Sequence, residues 1–431
     1  MMTFFLFICI LLIMSKKIGS LFDIRKIPQD AVKIIEEFDK LVQNVRPLNS
    51  RQLQQLPEHI RSLSHQMTDD RASRRLGYMN ENAQLSSYVR YFTWWNLVRL
   101  TRLFSNLPDS AFPQGDSVCL DLGSGPLTVV TALFLARPEL RTQKLTWYCL
   151  DVSANSMAFG EDIFLSVCAK LDVEPWQIIR VKGSFGTSIK QKASFITCAN
   201  MFNELDQASD MPPEFKVKKY YDQLVHYAAP DAKFILVEPG VPKAARTLSL
   251  LRERFIKGGA GIVAPCPHSG ECPMSGFGAY TGSKNKWCNF AFSTQNEGEG
   301  EGIPERLAKL SKAAKLPKDR ATLSFISVSK NAGGPEPACP ELCRREGPVL
   351  RQAQQPQIRI TSDEFRLPNY MSGYYACTEY GLALVEVPGS NNTRLPKPPF
   401  RPCSGDLIEV KKITPDSLPK DEKSGAIKIK L

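Results

Sequence analysis

The sequence predicts an α/β protein whose parallel sheet is covered by helices on both faces. Short apolar strands alternate with helical segments from Ser117 onward, which is the pattern of βαβ units. The first strand runs into an acidic residue and a glycine turn in the segment Val118–Thr128, VCLDLGSGPLT. Polar residues also follow the later strands, at the edge where open α/β sheets bind their ligands. One ligand crevice is therefore expected along this edge.

The individual elements follow from apolar periodicity and from turn residues. The predicted strands are Val118–Leu122, Leu145–Leu150, Ile178–Lys182, Ser194–Ala199, Lys233–Val237 and a returning strand at Leu323–Val328. The predicted helices between them are Leu127–Arg137, Ser156–Leu171, Lys216–Tyr227 and Lys243–Lys257.

The strand-end residues indicate a nucleotide-cofactor site. Glycines at two positions of the turn let the backbone bend tightly and approach a ligand closely. A carboxylate after the second strand suits the two hydroxyls of a ribose, and one after the first suits a ribose or an amino group. The predicted cofactor-binding residues are Asp121, Gly123, Gly125, Asp151 and Asn200.

The turn reads GSGPLT and lacks the third glycine of the dinucleotide pattern GxGxxG, so NAD and FAD are the weaker interpretation. It resembles instead the S-adenosylmethionine site of class I methyltransferases. A turn that binds no ligand remains the alternative.

Composition and charge limit the class of protein. The chain has 431 residues, of which 43% are hydrophobic, and this excludes a largely disordered chain. Lys and Arg outnumber Asp and Glu by 55 to 44, which gives a formal net charge of +11. Such an excess favours a polyanionic partner such as RNA, although a merely basic protein has the same charge.

The N-terminal region begins with an apolar run at Phe4–Met14 and continues as helices. The run is too short to span a bilayer and lacks the basic segment that precedes the apolar part of a signal peptide, so an export signal is not expected. Because the hydrophilic residues SKK follow Met14, we expect the working protein to begin near Met14, with a short membrane anchor as the alternative. Asp30–Val45 predicts one amphipathic helix. The pattern of Asn82–Leu107 predicts a helix with a stripe of aromatic residues. This stripe is expected to pack against a core, with stacking on nucleic acid bases as the alternative.

Eleven of the twelve cysteines fall into two groups. Those within apolar strands and helices are expected in the core, namely Cys119, Cys149, Cys168 and Cys198. Those among prolines, glycines and charges are possible ligands, namely Cys266, Cys272, Cys288, Cys339, Cys343, Cys377 and Cys403. The spacing is not the CxxC of a zinc ribbon, and four ligands would suit either zinc or an iron–sulfur cluster. His268 is a possible replacement ligand.

The remaining segments complete the predicted organisation. A β-rich C-terminal module ends in the basic segment KSGAIKIKL, which favours an RNA contact. The predicted regions are a leader (1–16), an N-terminal helical region (17–112), a cofactor domain (113–330) with a cysteine-rich insertion (258–290), a linker (331–357) and the module (358–431).

Several motifs together resemble one family, the methyltransferase-like proteins of the mitochondrial small ribosomal subunit and their bacterial relatives. The motifs are LDLGSGP (Leu120–Pro126), ANMFNEL (Ala199–Leu205), VEPG (Val237–Gly240), PCPHSGECP (Pro265–Pro273), KWCNF (Lys286–Phe290) and YYACTEYG (Tyr374–Gly381). They occur in the family's order over most of the chain, and PCPHSGECP is the most specific of them. The sequence departs from the family pattern at Leu127, where relatives often have glycine, and at Asn289, where a histidine is expected.

The resemblance implies a class I methyltransferase fold, S-adenosylmethionine as cofactor, and small-subunit rRNA and ribosomal proteins as partners. It also implies a [4Fe-4S] cluster, with zinc as the alternative metal. No stable membrane partner is expected. The implied cluster ligands are Cys266, Cys272, Cys288 and Cys377, with Cys343, which lies nearer in sequence, as the alternative to Cys377. The expected compartment is the cytoplasm, with the mitochondrion as the alternative.

The sequence does not identify a catalytic residue. The strand before Asn200 is not followed by the two prolines and the aromatic residue of amino-methylating enzymes. A Pro-Cys pair that could serve C5-pyrimidine methylation occurs only at Cys403, far outside the predicted sheet. Three hypotheses remain: an rRNA methyltransferase, a non-catalytic ribosome assembly factor, and a zinc-stabilised RNA-binding protein.

Overall fold

The structure is a computed structural model that describes residues 15–68, 81–205, 211–276, 286–295, 302–330, 355–390, 395–398, 400–410 and 418–431. Two predicted features lie outside these residues: the apolar run up to Met14, and most of the linker with Cys339 and Cys343.

The strands form two sheets. They are β1 (Lys16–Ser20), β2 (Ser117–Leu122), β3 (Leu145–Asp151), β4 (Gln177–Lys182), β5 (Ala193–Ala199), β6 (Ala228–Glu238), β7 (Gly261–Ala264), β8 (Phe290–Ser293), β9 (Arg320–Ser329), β10 (Gln357–Ile360), β11 (Phe365–Leu367), β12 (Met371–Thr378), β13 (Gly381–Pro388), β14 (Asp406–Glu409) and β15 (Ile427–Lys430).

The helices surround the larger sheet. They are α1 (Gln29–Glu36), α2 (Phe38–Val45), α3 (Ser50–Thr68), α4 (Asn82–Ser87), α5 (Trp94–Phe104), α6 (Thr128–Ala136), α7 (Ala154–Leu171), α8 (Pro213–Tyr227), α9 (Pro242–Lys257) and α10 (Glu305–Ala313). A π-helical turn, Tyr88–Thr93, joins α4 to α5.

The larger sheet has the strand order β4-β3-β2-β5-β6-β9-β7, with β8 paired to β9. Strands β2 to β6 are mutually parallel, and β9 is antiparallel to both β6 and β7. The register pairs Asp121 of β2 with Cys149 of β3 and with Thr197 of β5. Because the parallel strands end at one edge, the polar residues that follow them converge there, as predicted.

Apolar residues cover both faces of this sheet. Helices α5, α6 and α7 pack on one face around Phe134 and Trp147, whereas α8 and α9 pack on the other around Leu236. The aromatic helix α5 contributes Trp94 and Trp95, which are 1% and 3% exposed. Their burial confirms core packing as the role of this aromatic stripe.

The smaller sheet has the order β1-β14-β10-β12-β13-β15, and β11 pairs with β12. Its core is separate and includes Ile358, Tyr374 and Val385. Strand β1 comes from the N-terminal end of the described chain, pairs antiparallel with β14, and is held by a 2.9 Å ion pair from Lys17 to Asp406. This pairing was not predicted from the sequence, because it joins segments almost four hundred residues apart.

The prediction of one helix over Asp30–Val45 is wrong, since the structure has α1 and α2. The break is at Glu37, whose φ of −103° and ψ of 15° are not helical. It lets each short helix turn its own apolar side inward, so that Ile34 and Phe38 are both buried. None of the helices in the described part of the chain is sufficiently long and apolar to cross a membrane.

Candidate functional site

A cavity of about 160 Å³ opens at the carboxyl ends of β2, β3 and β5, where the sequence predicted the crevice. It contains four of the five predicted cofactor residues. Its lining residues are Tyr88, Asn96, Leu100, Gly123, Ser124, Gly125, Pro126, Thr128, Val129, Leu150, Asp151, Val152, Ser153, Gly183, Ser184, Phe185, Ala199, Asn200, Met201, Glu204 and Leu205.

The glycine turn makes the floor of this cavity. Gly123 and Gly125 have φ angles of 66° and 49°, in the left-handed region that favours glycine. The backbone N–H groups of Gly123 and Ser124 donate to the carbonyl oxygen of Leu150 at 2.9 and 3.1 Å. The N–H of Gly125 donates to Oδ2 of Asp151 at 2.9 Å. These donors are committed to protein acceptors, so the turn is not an open phosphate cradle.

Asp151 ends β3 and lies on the cavity wall. Its Oδ1 accepts from the N–H of Ser153 at 2.8 Å, and Oδ2 accepts from Gly125, so the carboxylate is fixed on one side. Burial raises the pKa of Asp151, although its backbone hydrogen bonds oppose this shift. Each carboxylate oxygen has a further lone pair, which a ribose hydroxyl can use.

Asp121 lies beneath the cavity and is 0% exposed. The hydroxyls of Ser124 and Thr197 donate to its two carboxyl oxygens, each at 2.7 Å. Burial raises its pKa to about 7, against the effect of these hydrogen bonds. The predicted contact of Asp121 with a ribose or amino group is therefore corrected: this side chain ties the turn to β5 and does not reach the cavity.

The charges around the cavity are acidic. Asp151 and Glu204 are among its lining residues, and no Lys, Arg or His side chain of the described residues lines it. An anionic ligand such as a dinucleotide would find no counter-charge here. A ligand with a positive centre and hydroxyl groups would be stabilised.

The roof of the cavity comes from the N-terminal helices, which sequence reasoning missed. Tyr88 starts the π-helical turn, and Asn96 and Leu100 follow on α5. π-Helical turns often occur at functional sites. The sequence signal was the aromatic stripe itself, but periodicity did not tell which of its residues face a ligand.

Gly160 on α7 also supports the site and was not predicted. A Cβ atom built there would lie 2.2 Å from the carbonyl carbon of Pro126, which belongs to the glycine turn. The helix can therefore approach the turn this closely only without a side chain at position 160. Close helix packing of this kind is the role of the third glycine in dinucleotide folds.

The segment after β5 closes the other side of the cavity. Asn200 has a φ of 61°, and its N–H donates to the carbonyl oxygen of Val237 at 2.8 Å. The carboxylate of Glu238, which is 0% exposed, accepts from the N–H groups of Phe202 and Asn203 at 2.9 and 3.1 Å. Glu238 thus shapes this turn and does not line the cavity.

A second site gathers the four cysteines that the family resemblance implied. Cys272 and Cys377 are 8% and 4% exposed and pack together with Met274, and Cys288 packs against them. Cys266 follows β7 and lies close enough to Cys377, Cys272 and Cys288 to contribute to their raised pKa values, of which burial is the main cause. The cysteine quartet, as we call Cys266, Cys272, Cys288 and Cys377, therefore lies between the larger sheet and the smaller one.

Two nitrogen-bearing side chains contact sulfurs of the cysteine quartet. Nε of Arg252 donates to Sγ of Cys266 at 3.2 Å, and Nε2 of His268 lies 3.2 Å from Sγ of Cys377. Burial, together with the charge of Cys266, raises the pKa of Cys272 to about 11. Among the described residues, no group of three or more His, Cys, Asp or Glu side chains is arranged to hold a single metal ion.

The other cysteines behave as their sequence context suggested. The four predicted for the core are buried: Cys119, Cys149, Cys168 and Cys198. Cys403 is exposed in the segment before β14 and lies outside the larger sheet, so it is not placed to attack a base in the crevice.

A family described as "Mitochondrial small ribosomal subunit Rsm22" matches residues 100–340, more than half of the chain. The chain belongs to the Rsm22 family. The segment matched to Rsm22 contains the glycine turn, Asp151, Asn200 and three of the quartet, whereas Cys377 lies beyond it. No curated protein matches the chain.

Solved structures of methyltransferases resemble parts of this Rsm22 chain in fold. A ribosomal protein L11 methylase from Lactobacillus delbrueckii subsp. bulgaricus is 15% identical, with a TM-score of 0.26 over 40% of this chain and 70% of that one. A putative class I S-adenosylmethionine-dependent methyltransferase from Listeria monocytogenes is 10% identical, with a TM-score of 0.32 over 72% and 90%. A methyltransferase from Geobacter sulfurreducens, in complex with S-adenosyl-L-homocysteine, is 12% identical, with a TM-score of 0.30 over 54% and 89%.

The topology decides the fold class. The last strand of the larger sheet in chain order, β9, is antiparallel and lies between β6 and β7, which are the fifth and sixth strands of this sheet. This is the strand order of class I methyltransferases, and the predicted fold class is confirmed for this member of the Rsm22 family.

Proposed function

We propose that the chain acts with the small ribosomal subunit and binds S-adenosylmethionine in the crevice. The observation that supports S-adenosylmethionine binding is the acidic lining of the cavity. The glycine turn of this cavity offers no free N–H groups from Gly123, Ser124 and Gly125. S-Adenosylmethionine has a sulfonium and an ammonium group, and its ribose presents two hydroxyls. It matches this lining better than a phosphate-bearing nucleotide does.

Calorimetry with S-adenosylmethionine and S-adenosylhomocysteine tests this proposal. Asp151→Asn removes the negative charge that would accept hydrogen bonds from the ribose. We expect the binding free energy to become less favourable by about 1.5–3 kcal/mol, the range for hydrogen bonds to charged groups. Glu174→Gln changes an exposed carboxylate beyond α7 and serves as the matched control. No heat of binding with the unmodified protein would refute the proposal.

We further propose that the cysteine quartet binds a [4Fe-4S] cluster, with zinc as the competing metal. The support is a set of four cysteine sulfurs, of which Cys266 accepts from Arg252 at 3.2 Å and Cys377 lies 3.2 Å from Nε2 of His268. Hydrogen bonds from N–H groups to cysteine sulfur are among the features that tune iron–sulfur sites. Bound there, the cluster would cross-link the larger sheet to β12 of the smaller sheet.

Anaerobic purification followed by iron, sulfide and zinc analysis separates the two metals. We expect brown protein with about four iron and four sulfide per chain, because a cubane binds through four thiolates. Colourless protein with one zinc per chain would contradict the cluster and would leave the four-cysteine site in place.

The ribosomal role rests on the family, whose description names the mitochondrial small ribosomal subunit. This description favours the mitochondrion, our alternative compartment, over the cytoplasm. Within the described residues, the RNA contact we propose is the face of the smaller sheet around Phe365 and Tyr375. Their rings stack at 5.0 Å and 28°, and Nζ of the exposed Lys286 lies 4.6 Å from the ring centre of Tyr375. Aromatic rings on a sheet next to cations suit unstacked bases.

Binding of small-subunit rRNA at several salt concentrations tests this surface. We expect affinity to fall steeply with salt through counterion release, and Lys286→Glu to weaken binding and flatten that dependence. Lys309→Glu alters an exposed cation on α10 and serves as the control. Equal binding by the two variants would place the RNA contact elsewhere.

A second candidate function, rRNA methylation, has no assigned base. Glu238 directs both carboxylate oxygens to the backbone of the turn after β5, and Cys403 is outside the sheet. We therefore place the non-catalytic assembly role first. Transfer of labelled methyl groups to small-subunit rRNA, abolished by Asp151→Asn, would reverse this order.

A further inference from the structure

Two arginines are buried against the cysteine quartet. Arg252 lies on α9 and is 2% exposed, and Arg359 lies on β10 and is 9% exposed. Arginine is seldom buried this fully unless its charge is paired. The groups that contact these two guanidinium groups therefore indicate the charge of the ligand that the site binds.

Arg252 encloses the loop that carries the first cysteine. Its Nε donates to Sγ of Cys266 at 3.2 Å. One of its terminal nitrogens donates to the carbonyl oxygens of His268 and Gly270, each at 2.9 Å. One side chain thus fixes both the sulfur and the backbone that follows it.

Arg359 approaches from the smaller sheet. It is the register partner of Cys377, where β10 pairs with β12. Its Nε donates to the carbonyl oxygen of Pro265 at 2.8 Å, and a terminal nitrogen donates to that of Gly405 at 2.8 Å. It therefore connects the residue before Cys266 to the strand that carries Cys377.

The hydrogen bonds of these arginines in the described part of the chain go to carbonyl oxygens and to sulfur, not to carboxylates. Arg252 is hydrogen-bonded to a sulfur of the quartet, and Arg359 lies opposite Cys377 in the pairing of β10 with β12. Both buried cations therefore lie beside the quartet.

We propose that Arg252 and Arg359 are positioning residues that hold the cysteine quartet in place and set the reduction potential of the cluster bound there. This inference rests on the proposed cluster. Two fixed cations in a low-dielectric site stabilise the more negative, reduced state over the oxidised state. They thereby raise the potential, and Arg252, which touches a sulfur, has the larger effect.

Redox titration of the intact, anaerobically isolated protein tests the proposal, with dithionite as the one-electron reductant and visible absorbance and EPR as readouts. Arg252→Met should lower the ratio of reduced to oxidised cluster at a given potential about tenfold, which is about 59 mV for one electron. Arg359→Met should act in the same direction but less. Arg254→Met, two residues along α9 and beside Tyr221, should leave the potential unchanged.

A second pair of variants separates charge from structure and keeps the test decisive if the methionine variants do not fold. Arg252→Lys keeps the charge but loses the planar guanidinium group that donates to several acceptors at once. The reduction potential should therefore stay near that of the unmodified protein, while the cluster should be lost faster in air. Arg252→Gln keeps hydrogen-bond donors without charge, so its potential should fall. Equal potentials for Lys, Gln and unmodified proteins would overturn the inference. Unmodified protein without iron would instead refute the cluster.

Discussion

The crevice and the cysteine quartet differ in how the chain assembles them. The crevice is built by consecutive βα units, and its floor and walls come from strands β2, β3 and β5, which are close in sequence. The quartet joins Cys266 to Cys377 across 111 residues and two sheets. A site of the first kind forms with its domain, whereas a site of the second kind depends on the docking of two domains. The sharpest experiments change one site and measure both.

The largest effect is expected from Cys377→Ser. If the cluster cross-links the two sheets, this variant should lose metal binding, and its free energy of unfolding should fall by about 4 kcal/mol. This is the stabilisation by a ligand whose free concentration is about a thousand times its Kd. Amides of β12 should exchange faster, while cofactor affinity should change little.

Iron analysis, urea unfolding and hydrogen exchange check this prediction. Cys403→Ser is the matched control, because this cysteine is exposed and is not one of the quartet. Full metal content in Cys377→Ser, together with loss of metal in Cys343→Ser, would show that the fourth ligand lies in the linker, which is outside the described residues.

Gly160→Ala should affect the crevice and spare the quartet. The new Cβ would lie 2.2 Å from the carbonyl carbon of Pro126, so the glycine turn must shift. Overpacking of this kind costs about 1–3 kcal/mol, and we expect cofactor affinity to fall with it. Chemical denaturation and calorimetry measure the two effects. Gly19→Ala, with open space around the added carbon, is the control, and equal behaviour of the two variants would contradict the packing argument.

These two sites also differ in what sequence reasoning could reach. The strands, the glycine turn and Asp151 follow from local periodicity and turn chemistry, which need only neighbouring residues. The quartet came from resemblance to a family, because cysteine spacing alone left zinc and iron–sulfur open. Arg252, Arg359 and the roof residue Tyr88 were not foreseen, since their roles depend on contacts between distant elements. Asp121 was foreseen as a ligand contact, and only its burial showed that it supports the turn.

Leu127→Gly tests the departure from the family pattern at the glycine turn. Leu127 has a φ of 53° and is 0% exposed, so strain and burial act against each other at one residue. Removing the side chain should cost about 3 kcal/mol of packing and relieve about 1 kcal/mol of left-handed strain. We expect a net loss of about 2 kcal/mol by urea unfolding. A more stable variant would mean that the strain dominates and that glycine is preferred here for stability.

The smallest effect concerns pH and separates the buried floor of the crevice from its wall. The pKa of Asp121 is raised to about 7 from its ordinary value of 3.8, mainly by burial. The folded state therefore binds this proton more tightly than the unfolded state. Its contribution to stability is fully present below pH 3.8 and is lost as the pH rises to about 7. Asp121→Asn is neutral at every pH and should reduce the fall in unfolding free energy between pH 6 and 7 by about 1 kcal/mol. Urea unfolding across this range measures it, with the exposed Asp172→Asn as the control. Identical pH profiles for the two variants would mean that Asp121 ionises in the folded protein as it does in the unfolded chain.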